Sequence, residues 1–265
     1  MLSSPGAIAI STPFISIYWY GIIVAFAFFI GLGAAAYFGK KIYNDNNVIE
    51  NIYEIAFWVL LGGIVGARLY FVLLSLPYYL QNPVEILMIN KGGLSIHGGL
   101  LGGMIAGYFY IKKHNLSFFK YADLFALALP LGQAVGRWGN FFNSEAFGKP
   151  ADIWWGVKIP LENRPEIYKA FEVFHPAFLY ESLWNIFIFL VLYFVIKRFF
   201  IAKEGIVFFS YLLLYSIGRI LIETVRVDSV LNILEIPVAV WVSLVLCAVS
   251  VGGLFISLKE KTDPS

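Results

Sequence analysis

Apolar residues gather in seven long runs, 17–38, 52–77, 95–112, 120–136, 177–197, 206–225 and 236–257, with charged or turn-forming residues between them. Several runs reach the ~20 residues that carry an α-helix across ~30 Å of hydrocarbon, and they lack the alternation of a barrel strand. The pattern predicts an all-α polytopic membrane protein with about seven transmembrane helices. The longest interruption, 137–176, contains Pro150, Trp154, Trp155, Pro160 and Pro165. It predicts a small extracytoplasmic subdomain inside one membrane-embedded domain covering 1–265, and its paired tryptophans suit a membrane interface.

Composition sharpens this picture. With 60% hydrophobic and 14% charged residues, the chain has too little polar surface to disperse in water. A net charge of +2 with no block of like charge points away from nucleic acid and toward partners in the membrane. Lys40 and Lys41, then Lys112, Lys113 and Lys120, then Lys197, Arg198 and Lys203, and finally Lys259 and Lys261 cluster at alternate gaps. The intervening gaps carry Lys91 alone or mixed charge, such as Glu162, Arg164, Glu166 and Lys169, or Arg226, Asp228 and Glu235. The positive-inside rule therefore predicts an outer N-terminus and a cytoplasmic C-terminus. No Lys or Arg precedes the first run, so the N-terminus is expected to stay in the mature chain. The single cysteine, Cys247, lies within an apolar run, which argues against a disulfide framework or a cysteine metal site.

Charge at membrane depth costs about 2.5–3.5 kcal/mol per group on insertion scales, so Arg68, Glu181, Arg219 and Glu223 each require a reason. Tyr215, Arg219 and Glu223 recur every four residues and share one helix face. The segment Gly136-Arg137-Trp138-Gly139-Asn140-Phe141-Phe142-Asn143-Ser144-Glu145-Ala146-Phe147-Gly148 sets an arginine, two asparagines and a glutamate among glycines where a run ends. Glycines permit close approach and positive φ, and Arg and Asn donate to phosphate oxygens. His97 lies in a glycine-rich stretch, Gly92-Gly93-Leu94-Ser95-Ile96-His97-Gly98-Gly99, where an imidazole can exchange a proton near neutral pH. His175-Pro176-Ala177-Phe178-Leu179-Tyr180-Glu181 adds a second histidine. No HExxH, cysteine cluster or aspartate pair accompanies them, so no metal is expected. Together these groups describe a site for an anionic lipid headgroup, in an enzyme or in a lipid transporter or scramblase. Aspartate clusters of an alcohol phosphatidyltransferase are absent, as is the Gly-x-Ser-x-Gly nucleophile of an intramembrane protease.

The run Gly136 to Gly148 resembles the signature of the prolipoprotein diacylglyceryl transferase family, Gly-Arg-x-Gly-Asn-Phe-x-Asn-x-Glu-x-x-Gly, at every fixed position. Trp19-Tyr20-Gly21, Gly66-Ala67-Arg68, His97-Gly98-Gly99, His175-Pro176 with Leu179-Tyr180-Glu181, and Gly218-Arg219 with Glu223 and Arg226 follow in family order. Tyr18 stands where the family pattern leads one to expect a basic residue, which removes one headgroup contact from the expected set.

The resemblance implies a transferase of the bacterial inner membrane that needs neither metal nor nucleotide. Phosphatidylglycerol donates its diacylglyceryl group to the lipobox cysteine of a preprolipoprotein, and glycerol phosphate leaves. It further implies that Arg137 and Arg219 grip the phosphate and that His97 is the candidate base for the thiol. Tyr20, Arg68, Asn140, Glu145, Gly148, Tyr215 and Glu223 are expected around the headgroup, with Glu145 accepting from headgroup hydroxyls or orienting Arg137, and Glu223 fixing Arg219.

The orientation is testable by reporter fusion. A fluorescent protein at the C-terminus should fold and fluoresce in cells, and alkaline phosphatase inserted within 137–176 should be active. Inactive phosphatase together with a dark C-terminal fusion would reverse the topology.

Overall fold

The computed structural model describes residues 1–13, 15–89, 92–196, 203–227 and 232–259. Lys91, Lys197, Arg198, Asp228 and Lys261, used above in the charge pattern, lie outside the described residues. Helices α1 (Trp19–Tyr43), α2 (Asn46–Leu74), α4 (Ile96–Lys113), α5 (Phe118–Phe142), α6 (Ala177–Val191), α7 (Ile206–Glu223) and α8 (Val238–Lys259) occupy the seven apolar runs. The short α3 (Leu76–Gln81) follows α2, and a π-helical turn (Leu192–Ile196) extends α6. With no water to bond their amides, segments in hydrocarbon close their hydrogen bonds internally as helices.

Five of the helices are long and apolar enough to cross a membrane: α1, α2, α6 with its extension, α7 and α8. Glycines and a terminal lysine pair dilute α4, and Lys120, Asp123, Gln133, Arg137 and Asn140 dilute α5. The chain is a predominantly α-helical polytopic membrane protein, and a total of seven crossings rests for α4 and α5 on the run pattern.

Helix ends depart from the apolar runs where polar residues are good helix formers. Lys40 and Lys41 complete the last turn of α1, where positive charge complements the carbonyl end of the helix dipole. The start of α2 precedes its run by six residues, because Asp45 caps it by accepting from Asn47 N at 2.9 Å and Asn47, Glu50, Asn51 and Glu54 continue the helix. Likewise α5 runs on to Phe142, so Arg137 and Asn140 are helical rather than part of a loop beginning at 137.

Seven short strands lie outside what the run pattern predicts: β1 (Leu2–Ser3), β2 (Ile8–Ser11), β3 (Ser16–Tyr18), β4 (Val157–Lys158), β5 (Val173–Phe174), β6 (Asn232–Ile233) and β7 (Ile236–Pro237). Strands β2 and β3 form a hairpin, β6 pairs with β7, and β4 sits between β1, parallel, and β5, antiparallel. Two to four residues are too few for a period-two pattern to show in sequence.

Backbone contacts divide the chain into two compact units, residues 36–121 and residues 1–35 with 122–265. In the first, α2 and α4 meet along a seam of glycines. A Cβ on Gly98 would overlap Gly66 O and Tyr70 Cβ, and one on Gly102 would overlap Gly62 O and lie 2.9 Å from Gly66 Cα. Gly62, Gly66, Gly98 and Gly102 thus interlock at four-residue spacing, which lets two backbones approach in a solvent that supplies no hydrophobic drive between helices.

In the second unit, hydrogen bonds set the register of the helices that carry the site. Ser182 Oγ donates to Ala134 O at 2.8 Å, joining α6 to α5. Trp184 Nε1 donates to Leu214 O at 3.0 Å, joining α6 to α7. Gly148 N donates to His175 O and Lys149 N to Val225 O, each at 2.8 Å, which draws the post-α5 segment against the ends of both. Phe141, Phe147, Val157, Ile159, Phe174 and Phe178 pack as the buried core of the small subdomain.

Replacing Gly66 or Gly98 by Val should lower Tm in detergent, by about 1–3 kcal/mol of overpacking. Gly31→Ala, where a Cβ meets nothing within 4 Å, should leave it unchanged or raised. Equal melting of all three would disprove the seam.

Candidate active site

The centre of the larger unit is a carboxylate surrounded by guanidiniums. Glu181, in the second turn of α6, is 4% exposed. Its Oε2 lies 2.6 Å from Arg137 Nε, and its Oε1 lies 2.7 Å from Arg226 Nη1 and 3.2 Å from Arg219 Nη1. Arg219 Nη2 meets Glu223 Oε2 at 2.7 Å, one helical turn along α7. Three guanidiniums and two carboxylates leave one excess positive charge among the described residues.

The register bonds explain this convergence. Ser182 holds Ala134, which is three residues before Arg137, so the neighbouring Glu181 faces Arg137. Trp184 rests on Gly218, where any Cβ would overlap the indole, and this fixes the adjacent Arg219 against Glu181. The backbone bonds around Gly148 bring the residue after Val225, Arg226, to the same carboxylate.

The three arginines differ in what they can still do. Arg219 spends both terminal nitrogens on carboxylates. Arg137 is held through Nε, and its side chain keeps 27% exposure. Its two Nη atoms therefore present a planar pair of donors, the geometry that takes a phosphate in two parallel hydrogen bonds. A narrow cleft with room for a water-sized group is lined by Arg137, Glu181, Trp184, Asn185, Tyr215 and Arg219.

A sequence model of prolipoprotein diacylglyceryl transferases matches residues 7–256. The chain belongs to that family. It is 40% identical over 258 residues to the phosphatidylglycerol–prolipoprotein diacylglyceryl transferase of Nostoc sp., spanning 96% of this chain and 90% of the relative. The enzyme of the same name from Thermotoga maritima is 42% identical over 248 residues, 93% of this chain and 82% of the relative. That of Synechocystis sp. is 39% identical over 269 residues, 98% and 93% of the two chains.

The family signature divides in space. Arg137 reaches the arginine cluster, whereas Asn140 Nδ2 donates to Glu145 Oε1 at 2.9 Å and Asn143 Nδ2 to the same oxygen at 3.4 Å. Glu145 is therefore occupied with the two signature asparagines, and Glu181 orients Arg137 in its place. The turn itself relies on Ser144 and Ala146, both with φ of +53°, and not on the signature glycines. Gly148 is needed for close packing, since a Cβ there would come within 2.9 Å of Val225 and His175. The Tyr20 ring covers Gly139 in the same way, because a Cβ at that position would lie only 2.9 Å from Tyr20 Cδ2. Tyr215, one turn before Arg219, lines the cleft.

Arg68 and His97 belong to the smaller unit. Arg68 is buried, and its donors go to main-chain carbonyls: Nε to Ile86 at 2.9 Å, Nη1 to Gly92 at 2.8 Å and Gly93 at 2.9 Å, and Nη2 to Glu85. Tyr79 lies under the guanidinium. Arg68 thus ties the carbonyls of Glu85, Ile86, Gly92 and Gly93 to α2. His97 is exposed in the first turn of α4, with its ring 6.4 Å from that of Tyr70.

In the sequence Glu181 stands out as a buried charge but not as the centre, and Ser182, Trp184 and Asn185 do not stand out at all. Their signal is nevertheless present: Trp184 and Asn185 lie three and four residues after Glu181, on the same helix face. Removing the central charge should be severe. Glu181→Ala is expected to cost about 3–5 kcal/mol, because it leaves guanidiniums in a poorly hydrated site without their counter-ion. Glu181→Gln should fall between Ala and wild type, as read by Tm in detergent, and unchanged melting of both variants would refute the hub.

Proposed function

We propose that this chain transfers the diacylglyceryl group of phosphatidylglycerol to the lipobox cysteine of a preprolipoprotein and releases glycerol phosphate. Membership of the family makes it a diacylglyceryl transferase, and the geometry that best supports the full reaction is the Arg137 fork, held by Glu181 with two donors left over. The enzyme works in the bacterial inner membrane, with phosphatidylglycerol drawn from the surrounding lipid, the N-terminus outside and the subdomain of 137–176 on the outer face.

The chemistry explains why arginines suffice. The cysteine thiolate attacks the glyceryl carbon, a C–S bond forms, and the bond from that carbon to the phosphate oxygen breaks. One negative charge on the diester and one on the thiolate become two on the departing glycerol phosphate. A site that strengthens its hold as the phosphate gains charge lowers the barrier. Arg137, held through Nε, offers its Nη donors to the phosphate, and Arg219, locked by Glu181 and Glu223, supplies a fixed positive field beside it. Tyr20, Asn140, Glu145, Gly148 and Tyr215 shape the headgroup pocket, and Arg68 bonds the carbonyls of Glu85, Ile86, Gly92 and Gly93 ahead of the stretch that carries His97. His97 takes the thiol proton, which matters because a free thiol with a pKa near 8.5 is mostly protonated at neutral pH.

The test is transfer of labelled glycerol backbone from phosphatidylglycerol to a synthetic lipobox peptide by the purified protein. Label should appear on the Cys peptide and not on its Cys→Ser counterpart, and Arg137→Ala should reduce the rate by about 10²–10³ or more. His97→Gln should lose most at neutral pH and recover as the pH approaches the thiol's own pKa. A uniform loss at every pH would instead give His97 a headgroup-positioning role. Absence of transfer by folded protein that binds phosphatidylglycerol would overturn the enzyme in favour of a lipid transporter.

A further inference from the structure

Asn185 holds a polar atom to which the mechanism gives no use. It follows Glu181 by one turn of α6, is 3% exposed, and lines the cleft with Arg137, Tyr215 and Arg219. Its Nδ2 donates to Glu181 O at 2.8 Å. Because that partner is a carbonyl and only accepts, the amide orientation is fixed, and the remaining atom is the acceptor Oδ1. Oδ1 is buried with no hydrogen-bond partner among the described residues. A buried acceptor left in this state is costly unless an incoming group donates to it.

The donors already engaged around the cleft narrow what fits. Arg219 and Arg226 are turned to Glu181 and Glu223, the Nη pair of Arg137 is given to the phosphate in the reading above, and the indole N–H of Trp184 is spent on Leu214 O. The cleft has room for a water-sized group, which suits a hydroxyl. A cationic donor such as ethanolamine is opposed by the excess positive charge of the cluster.

Resting on the transferase reading above, we infer that Asn185 Oδ1 accepts a hydrogen bond from a hydroxyl of the phosphatidylglycerol headgroup and so selects a polyol headgroup over an alkyl one. The phosphate sits on the more exposed Arg137 fork, and the headgroup tail points inward to the buried amide. Discrimination of this kind is steep in one direction, because a ligand without the hydroxyl leaves Oδ1 unpaired in the bound state.

The test compares phosphatidylglycerol with phosphatidylpropanol, which keeps the phosphodiester and three-carbon chain but has no headgroup hydroxyl. Wild-type protein should favour phosphatidylglycerol in kcat/KM by roughly tenfold or more, the scale of one buried acceptor unpaired. In Asn185→Leu and Asn185→Ala the ratio should fall toward one, through a greater loss on phosphatidylglycerol than on phosphatidylpropanol. The ratio is independent of the fraction of active protein, so a partly unfolded variant still reports. An undiminished preference in both variants, or equal loss on both lipids, would overturn the inference and leave Oδ1 to an ordered water. Lack of wild-type preference would overturn it too, whereas no wild-type transfer from either lipid would defeat the transferase reading first.

Discussion

Every part of the site depends on one buried carboxylate. Three guanidiniums repel one another, and in a poorly hydrated setting that repulsion is large. Glu181 makes their convergence possible by placing two oxygens among them at 2.6–3.2 Å. Glu223 takes the remaining terminal nitrogen of Arg219. The balance leaves one positive charge over among the described residues, the sign that an anionic group would meet there. Arginine on its own would bind anions anywhere along the bilayer surface. Arginine held by a buried acid gives the charge a fixed position and direction, and electrostatic catalysis requires that preorganisation.

Holding that carboxylate in place is a matter of helix register, and register in lipid is set by close packing and hydrogen bonds rather than by burial of oil from water. Ser182 on Ala134, and Trp184 on Leu214 and Gly218, fix α6 against α5 and α7. A shift of either helix by one residue would turn Arg137 or Arg219 about 100° away from Glu181. In the smaller unit the same task falls to the interlocked glycines of α2 and α4, and Arg68 ties the following segment to α2 through carbonyls. The glycines at 62, 66, 98 and 102 thus serve backbone approach in the fold.

Legibility of the site was uneven for physical reasons. Arg219 and Glu223 are four apart on one helix, so their pairing follows from helical geometry alone. Arg137, Arg219 and Arg226 were each visible as costly charges or motif members, but their common partner was not, because Glu181 lies 44 residues from Arg137 by numbering and on another helix. Asn140 and Glu145 are expected around the headgroup, and the structure adds a contact no motif shows, with Asn140 and Asn143 both donating to Glu145. Positive φ was expected of glycines and is found at Ser144 and Ala146, since turn geometry is decided by what the flanking helices require. Asn185 carried no signal in isolation, and its significance lies in an empty acceptor that only three dimensions reveal.

The sequence by itself determined the solvent, the helical class, the placement of the long helices to within a few residues at most ends, and the family. Each of these follows from local quantities: apolar length against bilayer thickness, helix periodicity, and a motif contiguous along the chain. The tertiary structure decided which charges meet, which arginine keeps free donors, and which glycines pack instead of bind. Those outcomes depend on register between helices distant in sequence. Register is fixed by single contacts such as Ser182 with Ala134 and Trp184 with Gly218, and no local pattern encodes them.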